Sequence, residues 1–266
     1  MKLQPGKVAF LTGGAEGIGR ATAILLAGFG VTVVSFDKDQ SANEALAEIY
    51  PHIHAITCDC ENSGDIYRCF HEALDRFRRV DILVNNAGDF LLSSFLKDSF
   101  DTGMQGLEKM MRLFVGSTYA FTQLAAPVMA KNGEGAIINV LTNHLHRDIC
   151  RVSPEEHAYD AAKYAQLSLN MSMAAELQTH GIRVNAVDPA ATYTKMLRDF
   201  FAGRGMEATV ENIAKITRVG SLMMPEDVAL AICNLIRWED PAPVGKNYLL
   251  RYRRDCEKLE HPPVEE

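Results

Sequence analysis

The sequence predicts a doubly wound α/β fold, with about seven parallel strands and helices on both faces of the sheet. Three observations predict it. Short runs rich in Val, Ile and Leu recur along the chain without polar alternation, as in strands covered on both sides. Stretches of helical periodicity fill the gaps between them. The two kinds alternate from end to end, and strand–helix–strand repetition implies right-handed crossovers and therefore a parallel sheet.

The apolar runs place strands at 8–12, 31–36, 53–57, 81–84, 136–141 and 182–187, with a weaker seventh at 246–250. The periodic stretches place helices at 17–27, 41–49, 63–78, 106–130, 157–180 and 225–238. No repeat, low-complexity segment or Pro/Gly-rich linker interrupts this order. One domain over residues 1–250 is expected, followed by a charged, solvated tail over 251–266 that contains Pro262-Pro263.

Composition narrows the partners. The 266 residues are 47% hydrophobic and 23% charged, which is globular rather than disordered. Their net charge of −7 argues against binding a nucleic-acid backbone by bulk charge. No uninterrupted apolar run approaches the roughly 18 residues that span a bilayer, and the N-terminus shows no signal-peptide core. A cytoplasmic protein with no membrane partner is expected. Cys58 and Cys60 alternate along one apparent strand, while Cys69, Cys150, Cys233 and Cys256 are scattered, the pattern of reduced thiols packed as small hydrophobes. His52 and His54 beside Cys58 and Cys60 do not suggest zinc, because alternate strand positions lie about 6–7 Å apart. No metal is expected.

Chemistry begins after the first strand, at Thr12-Gly-Gly-Ala-Glu-Gly-Ile-Gly19. Glycines 13, 17 and 19 lie where strand turns into helix. There the missing side chains let a pyrophosphate approach backbone N–H groups and the positive end of the helix dipole. The second strand ends in Asp37, placed about twenty residues on, where a carboxylate accepts from both ribose hydroxyls of an adenosine and repels a 2′-phosphate. Lys38 follows directly and would accommodate phosphate. NAD(H) is favoured over NADP(H). Asp59, just past the third strand, is positioned to touch the adenine.

In the helix at 157–180, Tyr159 and Lys163 stand four residues apart and share a face. A neighbouring ammonium favours phenolate and is expected to pull the tyrosine below its usual pKa of about 10. Such a phenol is a general acid/base for an alcohol or ketone oxygen.

Together these features resemble the compact single-domain branch of the short-chain dehydrogenase/reductase family, over nearly the whole chain from Lys7 to about Leu250. The resemblance rests on TGGAEGIG at 12–19, on Asn85-Asn-Ala-Gly88, on Tyr159 and Lys163, and on the order of elements. Arg183-Val-Asn-Ala-Val-Asp-Pro189 and Thr194 match the stretch that closes over the nicotinamide. The family implies a Rossmann-type sheet and hydride exchange between a nicotinamide and a small-molecule alcohol or carbonyl. Tyr159 would move the proton and Lys163 would hold the ribose and acidify the tyrosine. The implied cofactor-binding positions are Gly13, Glu16, Gly17, Ile18, Gly19, Asp37, Asp59, Asn86, Ala87, Gly88, Tyr159, Lys163, Pro189, Thr192 and Thr194.

Three positions depart from the family pattern. Thr142 takes the place of the usual catalytic serine and keeps the hydroxyl, with Asn143 or His144 able to replace or assist it. Phe114 falls where an asparagine usually anchors a water of the proton relay. The usual Pro-Gly after the sixth strand reads Pro189-Ala190. On the substrate side, His144 and Tyr193 are candidates, within an apolar lid drawn from residues 89–103, 142–157 and 193–218, which would suit a bulky substrate such as a hydroxysteroid. A dehydrogenase/reductase is therefore expected, assembled as a homodimer or homotetramer. A catalytically impaired nucleotide-binding regulatory or scaffold protein on the same fold is the alternative.

Overall fold

Seven parallel strands form one sheet in the order β3-β2-β1-β4-β5-β6-β7. In this computed structural model, residues 1–148, 150, 154–216, 222–238 and 244–259 are described. The strands are β1 (Val8–Thr12), β2 (Thr32–Asp37), β3 (Ile53–Thr57), β4 (Ile82–Asn85), β5 (Gly135–Val140), β6 (Ile182–Pro189) and β7 (Asn247–Leu250). Each lies within two residues of the stretch expected from the sequence, because both-face burial leaves a continuous apolar run that is hard to misplace. The chain winds outward from β1 to β3, then returns to place β4 on the other side of β1. The crevice at the carboxyl ends of β1 and β4 is where such sheets bind ligands.

Successive side chains of β1 divide the core. Ala9 and Leu11 pack with α1 (Gly17–Gly28) and α9 (Pro225–Arg237) on one face. Val8 and Phe10 pack on the other with α3 (Ser63–Phe77), α5 (Ser117–Asn132) and α6 (His157–Leu177). On that second face the rings of Phe10, Phe36, Phe70 and Phe121 interlock, neighbouring centroids lying 5.1–5.3 Å apart for the three closest pairs. Phe70→Ala would cost about 3–5 kcal/mol at such a site. Helix α2 (Gln40–Ile49) caps its first turn with Asp39, which accepts from Ala42 N–H at 3.0 Å, and Asn62 does the same for α3.

Three expectations need correction. Cys58 and Cys60 lie beyond the end of β3 rather than on it, so strand spacing does not separate them. The helix expected over 106–130 is longer and interrupted: α4 (Phe100–Met110) runs through a π-helical turn, Met111–Gly116, into α5. By length and composition this Phe100–Asn132 run does reach the bilayer threshold, yet 44% of its most apolar window is buried in the domain, where α5 covers the sheet. The 193–218 segment carries α7 (Lys195–Ala202) and α8 (Val210–Ile216). Finally, the domain continues past 250 into α10 (Arg253–Lys258), since Cys256 and Leu259 pack into the core beside α9. Residues 260–266 of the expected tail lie outside the described residues. All six cysteines are buried free thiols.

Candidate active site

The glycine loop between β1 and α1 has no room for side chains. A Cβ on Gly19 would lie 1.9 Å from the Gly13 carbonyl oxygen, and one on Gly13 would lie 2.8 Å from Ala87 Cα. Gly13 and Gly17 also adopt positive φ, +67° and +55°. The loop is pinned from β4: Asn86 Nδ2 donates to the carbonyls of Thr12 and Gly13 at 3.0 and 2.9 Å, while Thr12 Oγ1 accepts from the N–H groups of Asn86 and Ala87. Asp37, at the end of β2, accepts from Ala15 N–H at 2.9 Å. Glu16 and Gly17 line a polar cavity of about 240 Å³ together with Arg20, Tyr193, Thr194 and Arg198. Thr194 caps α7 by accepting from Leu197 N–H, and its methyl lies 3.0 Å from where a Gly17 Cβ would stand. Ile18 begins α1 behind this loop, and Gly88 leaves β4 beside Phe114. Thr192 donates to the Ala190 carbonyl, and Ala190 needs no positive φ, so the missing glycine costs nothing there. Asp59 is exposed, its carboxylate accepting from Glu61 N–H.

Across the crevice, the loop after β5 brings Thr142, His144 and Tyr159 together. The Thr142 hydroxyl acts on Tyr159 from beside it, favouring the phenolate. Thr142 Oγ1 also accepts from His144 N–H at 3.3 Å. The loop is tied down at three points. His144 Nδ1 meets Asp160 at 2.8 Å, Arg147 Nη2 donates to the same carboxylate at 2.7 Å, and His146 Nε2 meets the fully buried Asp188 at 2.7 Å. Burial opposes ionisation of Asp160, but His144 and Arg147 outweigh it and hold its carboxyl below the usual carboxylate range. The Asp188 carboxylate holds the His146 imidazole above its usual value.

The tyrosine contradicts the simplest expectation. Its pKa is raised, not lowered, because burial penalises the phenolate more than the Thr142 hydroxyl favours it. Lys163 Nζ lies 5.9 Å from the Tyr159 ring centroid but 3.9 Å from that of Phe114. Burial lowers Lys163 to about 7, with the Asp188 charge opposing the fall. Phe114, carried inward by the π-helical turn, stands edge-on to Tyr159 with centroids 5.4 Å apart.

Aromatic groups wall the tyrosine: Phe90 at 5.0 Å, Phe114, and His144 at 5.6 Å, with Phe200 of α7 packed on Phe90 at 4.9 Å. This is narrower than the lid expected from the sequence. Phe95, Leu96 and Phe100 are 81–96% exposed and face solvent instead. Tyr193 lines the cavity by the glycine loop, and no ring contact joins it to Tyr159 among the described residues. Residues 149, 151–153, 217 and 218 of the expected lid lie outside the described residues. Phe90 and Phe200 were legible only as members of apolar segments. Gln166, which accepts from Lys163, was missed as a site residue, and Asp188 was named only within the stretch 183–189. Gln166 had a spacing signal, one turn beyond Lys163 on the same face.

Among the described residues, two groups bring metal-type ligands within 4.8 Å of one another: Cys58, Asp65 and Cys69; and His144, Glu156 and Asp160. Neither is the His52/His54 pairing. The Cys58 thiol is pushed up by its bond to Cys60 and by burial, and the acids already have partners in Arg68 and in His144 with Arg147. The glycine cradle, the acid at the end of β2 and the buried ammonium beyond β5 do fit a nicotinamide dinucleotide lying across the crevice. Such a bound group would supply the hydride chemistry.

The comparisons agree with this geometry. Residues 7–205 match the short chain dehydrogenase family. Momilactone A synthase of Oryza sativa subsp. japonica is 34% identical over 239 residues, covering 85% of this chain and 82% of that one. Zerumbone synthase of Zingiber zerumbet is 30% identical over 261 residues, covering 94% of each. The crystal structure of 3-ketoacyl-(acyl-carrier-protein) reductase from Brucella melitensis complexed with NADH is similar with a TM-score of 0.78 at 28% identity, over 92% of this chain and 97% of that one. The fold, the glycine cradle and the match over residues 7–205 together establish that the chain belongs to the short-chain dehydrogenase/reductase family of nicotinamide-dependent oxidoreductases.

Proposed function

We propose that the protein is an NAD(H)-dependent oxidoreductase that interconverts a hydrophobic secondary alcohol and its ketone. The observation that carries this reading is Tyr159 with the Thr142 hydroxyl beside it, set within a wall of Phe90, Phe114 and His144 across the crevice from the glycine cradle. In reduction, Tyr159 Oη would give its proton to the carbonyl oxygen as that oxygen becomes an alkoxide, and Thr142 Oγ1 would donate a hydrogen bond to the same oxygen. The raised pKa of Tyr159 suits the acid role, since the phenol stays protonated until substrate takes the proton. In oxidation the same oxygen would receive the proton of the alcohol. Phe90, Phe114 and Phe200 exclude water and favour an apolar substrate, for which hydroxysteroids are the first class to test. Asp37 supports NAD(H) over NADP(H), as does the NADH named with the Brucella reductase. The exposed face formed by Met104, Leu107 and Met111 supports a homodimer or homotetramer.

The test is NADH consumption over a panel of ketones and ketosteroids. Tyr159→Phe is expected to lower turnover about a thousandfold while leaving NADH affinity within a fewfold of the parent. Unchanged turnover would remove the role assigned to Tyr159. A second reading, a nucleotide-binding regulatory or scaffold protein, is favoured by one observation: the Phe114 ring stands against Lys163 where the family usually keeps a water. Tight NADH binding with no turnover on any member of the panel would establish that reading instead.

A further inference from the structure

We infer that Gln166 is a positioning residue of this site: buried between α5 and α6, it fixes the Lys163 ammonium in place and keeps it charged. The inference rests on the proposed nicotinamide reading only for the ribose contact that Lys163 would make.

An ammonium presents three N–H groups and no acceptor. Lys163 is 4% exposed, so each group must find a partner inside the protein. Lys163 Nζ donates to the Val140 carbonyl at 2.8 Å and to Gln166 Oε1 at 3.1 Å. Its remaining side is covered by the face of Phe114, 3.9 Å from the ring centroid, a cation–π contact. A phenyl ring offers the ammonium only its π face, so the oxygens of Val140 and Gln166 are the hydrogen-bond acceptors that hold it among the described residues.

Gln166 cannot simply turn away. It is 2% exposed, and its Nε2 donates at 2.8 Å to Thr118 Oγ1 on α5, itself 1% exposed. With the amide nitrogen committed to Thr118, the amide oxygen must face Lys163; the opposite rotamer would set N–H groups against an ammonium. The chain Thr118–Gln166–Lys163 therefore anchors the lysine to a second helix. Along α6, Tyr159, Lys163 and Gln166 fall at spacings of four and three on one face. Other titratable groups facing this point are Asp188 on β6 and Tyr159 on α6, with His146 reaching it through Asp188. The π-helical turn and α5 present Phe114 and Thr118, neither of which titrates there. Burial lowers Lys163 to about 7, and the two oxygens that accept from it, of Val140 and Gln166, favour its charged form.

The experiment follows Lys163 directly, by NMR titration of the protein labelled with ¹³C at lysine Cε, its signal assigned through Lys163→Met. Four proteins are compared: the parent, Gln166→Leu, Gln166→Glu and Thr118→Val. Loss of the acceptor in Gln166→Leu should lower the Lys163 midpoint by about one pH unit. The anion in Gln166→Glu should raise it by at least as much. Thr118→Val, which frees the amide to turn, should lower it by less, and it keeps the test available if the leucine variant does not fold. NADH affinity at pH 8, measured by fluorescence, should fall severalfold in Gln166→Leu and hold in Gln166→Glu. Midpoints that stay together in all the folded proteins, or that move the same way in the Leu and Glu variants, would overturn the inference. Midpoints that move as stated in a protein that binds no NADH would uphold Gln166 and overturn the cofactor reading, and the reverse pattern would do the opposite.

Discussion

Asp37 illustrates how one side chain joins fold and specificity. Its carboxylate already accepts from Ala15 N–H, so it braces the glycine loop from β2 while standing where an adenosine ribose would lie. Asp37→Ser should therefore weaken NADH and relieve the repulsion of a 2′-phosphate. The ratio of the NADPH and NADH dissociation constants should shift toward NADPH by about tenfold or more, read by fluorescence titration with each nucleotide. An unchanged ratio would mean that Lys38, not Asp37, governs the choice. The roles of Asp37, Tyr159 and Lys163 could be posed from the sequence because each depends on spacing along a strand end or a helix turn. The state of Tyr159 could not. The i, i+4 rule brings phenol and ammonium to one face, but the Val140 carbonyl and the Phe114 ring hold the ammonium, and burial raises the pKa of the phenol.

Among the elements, the loop after β5 has the most to do with few residues. It hangs on two carboxylates, Asp160 of α6 through His144 and Arg147, and Asp188 of β6 through His146. Because Asp188 raises the His146 pKa, the charged pair stabilises the docked loop fully below about pH 6.5, where free imidazole is also protonated. That contribution is lost as pH rises through the raised folded value. Hydrogen exchange of the amides of residues 142–148 should therefore be slower, after correction for intrinsic rates, at pH 6 than at pH 9. His146→Gln should remove most of the difference, and a difference that survives the substitution would show that another group sets it. The π-helical turn is the element that the sequence hid. A periodicity of apolar residues locates a helix over 106–130 but does not register one wider turn within it, and that turn is what delivers Phe114 to the lysine.

For the whole molecule, the apolar residues left outside the core carry the remaining prediction. Met104, Leu107 and Met111 repeat at three and four residues along one side of α4 and the turn after it, each 36–41% exposed. If copies of the chain meet there, light scattering should give two or four times 29.4 kDa for the parent, and Leu107→Glu with Met111→Glu should return the single-chain mass. A parent that already runs at the single-chain mass would refute the assembly. The sequence by itself determined the parallel sheet, its strand positions, the glycine turn and the Tyr159/Lys163 pair, because these follow from runs, periods and fixed offsets that are local in the chain. Only the tertiary structure decided what surrounds that pair: Phe114, Gln166, Thr118 and Asp188 come from four different elements, and burial and charge at a point depend on what the fold brings there from a distance. The same reason separates Phe90 and Phe200, which wall the tyrosine, from Phe95 and Phe100, which the same apolar segments leave in water.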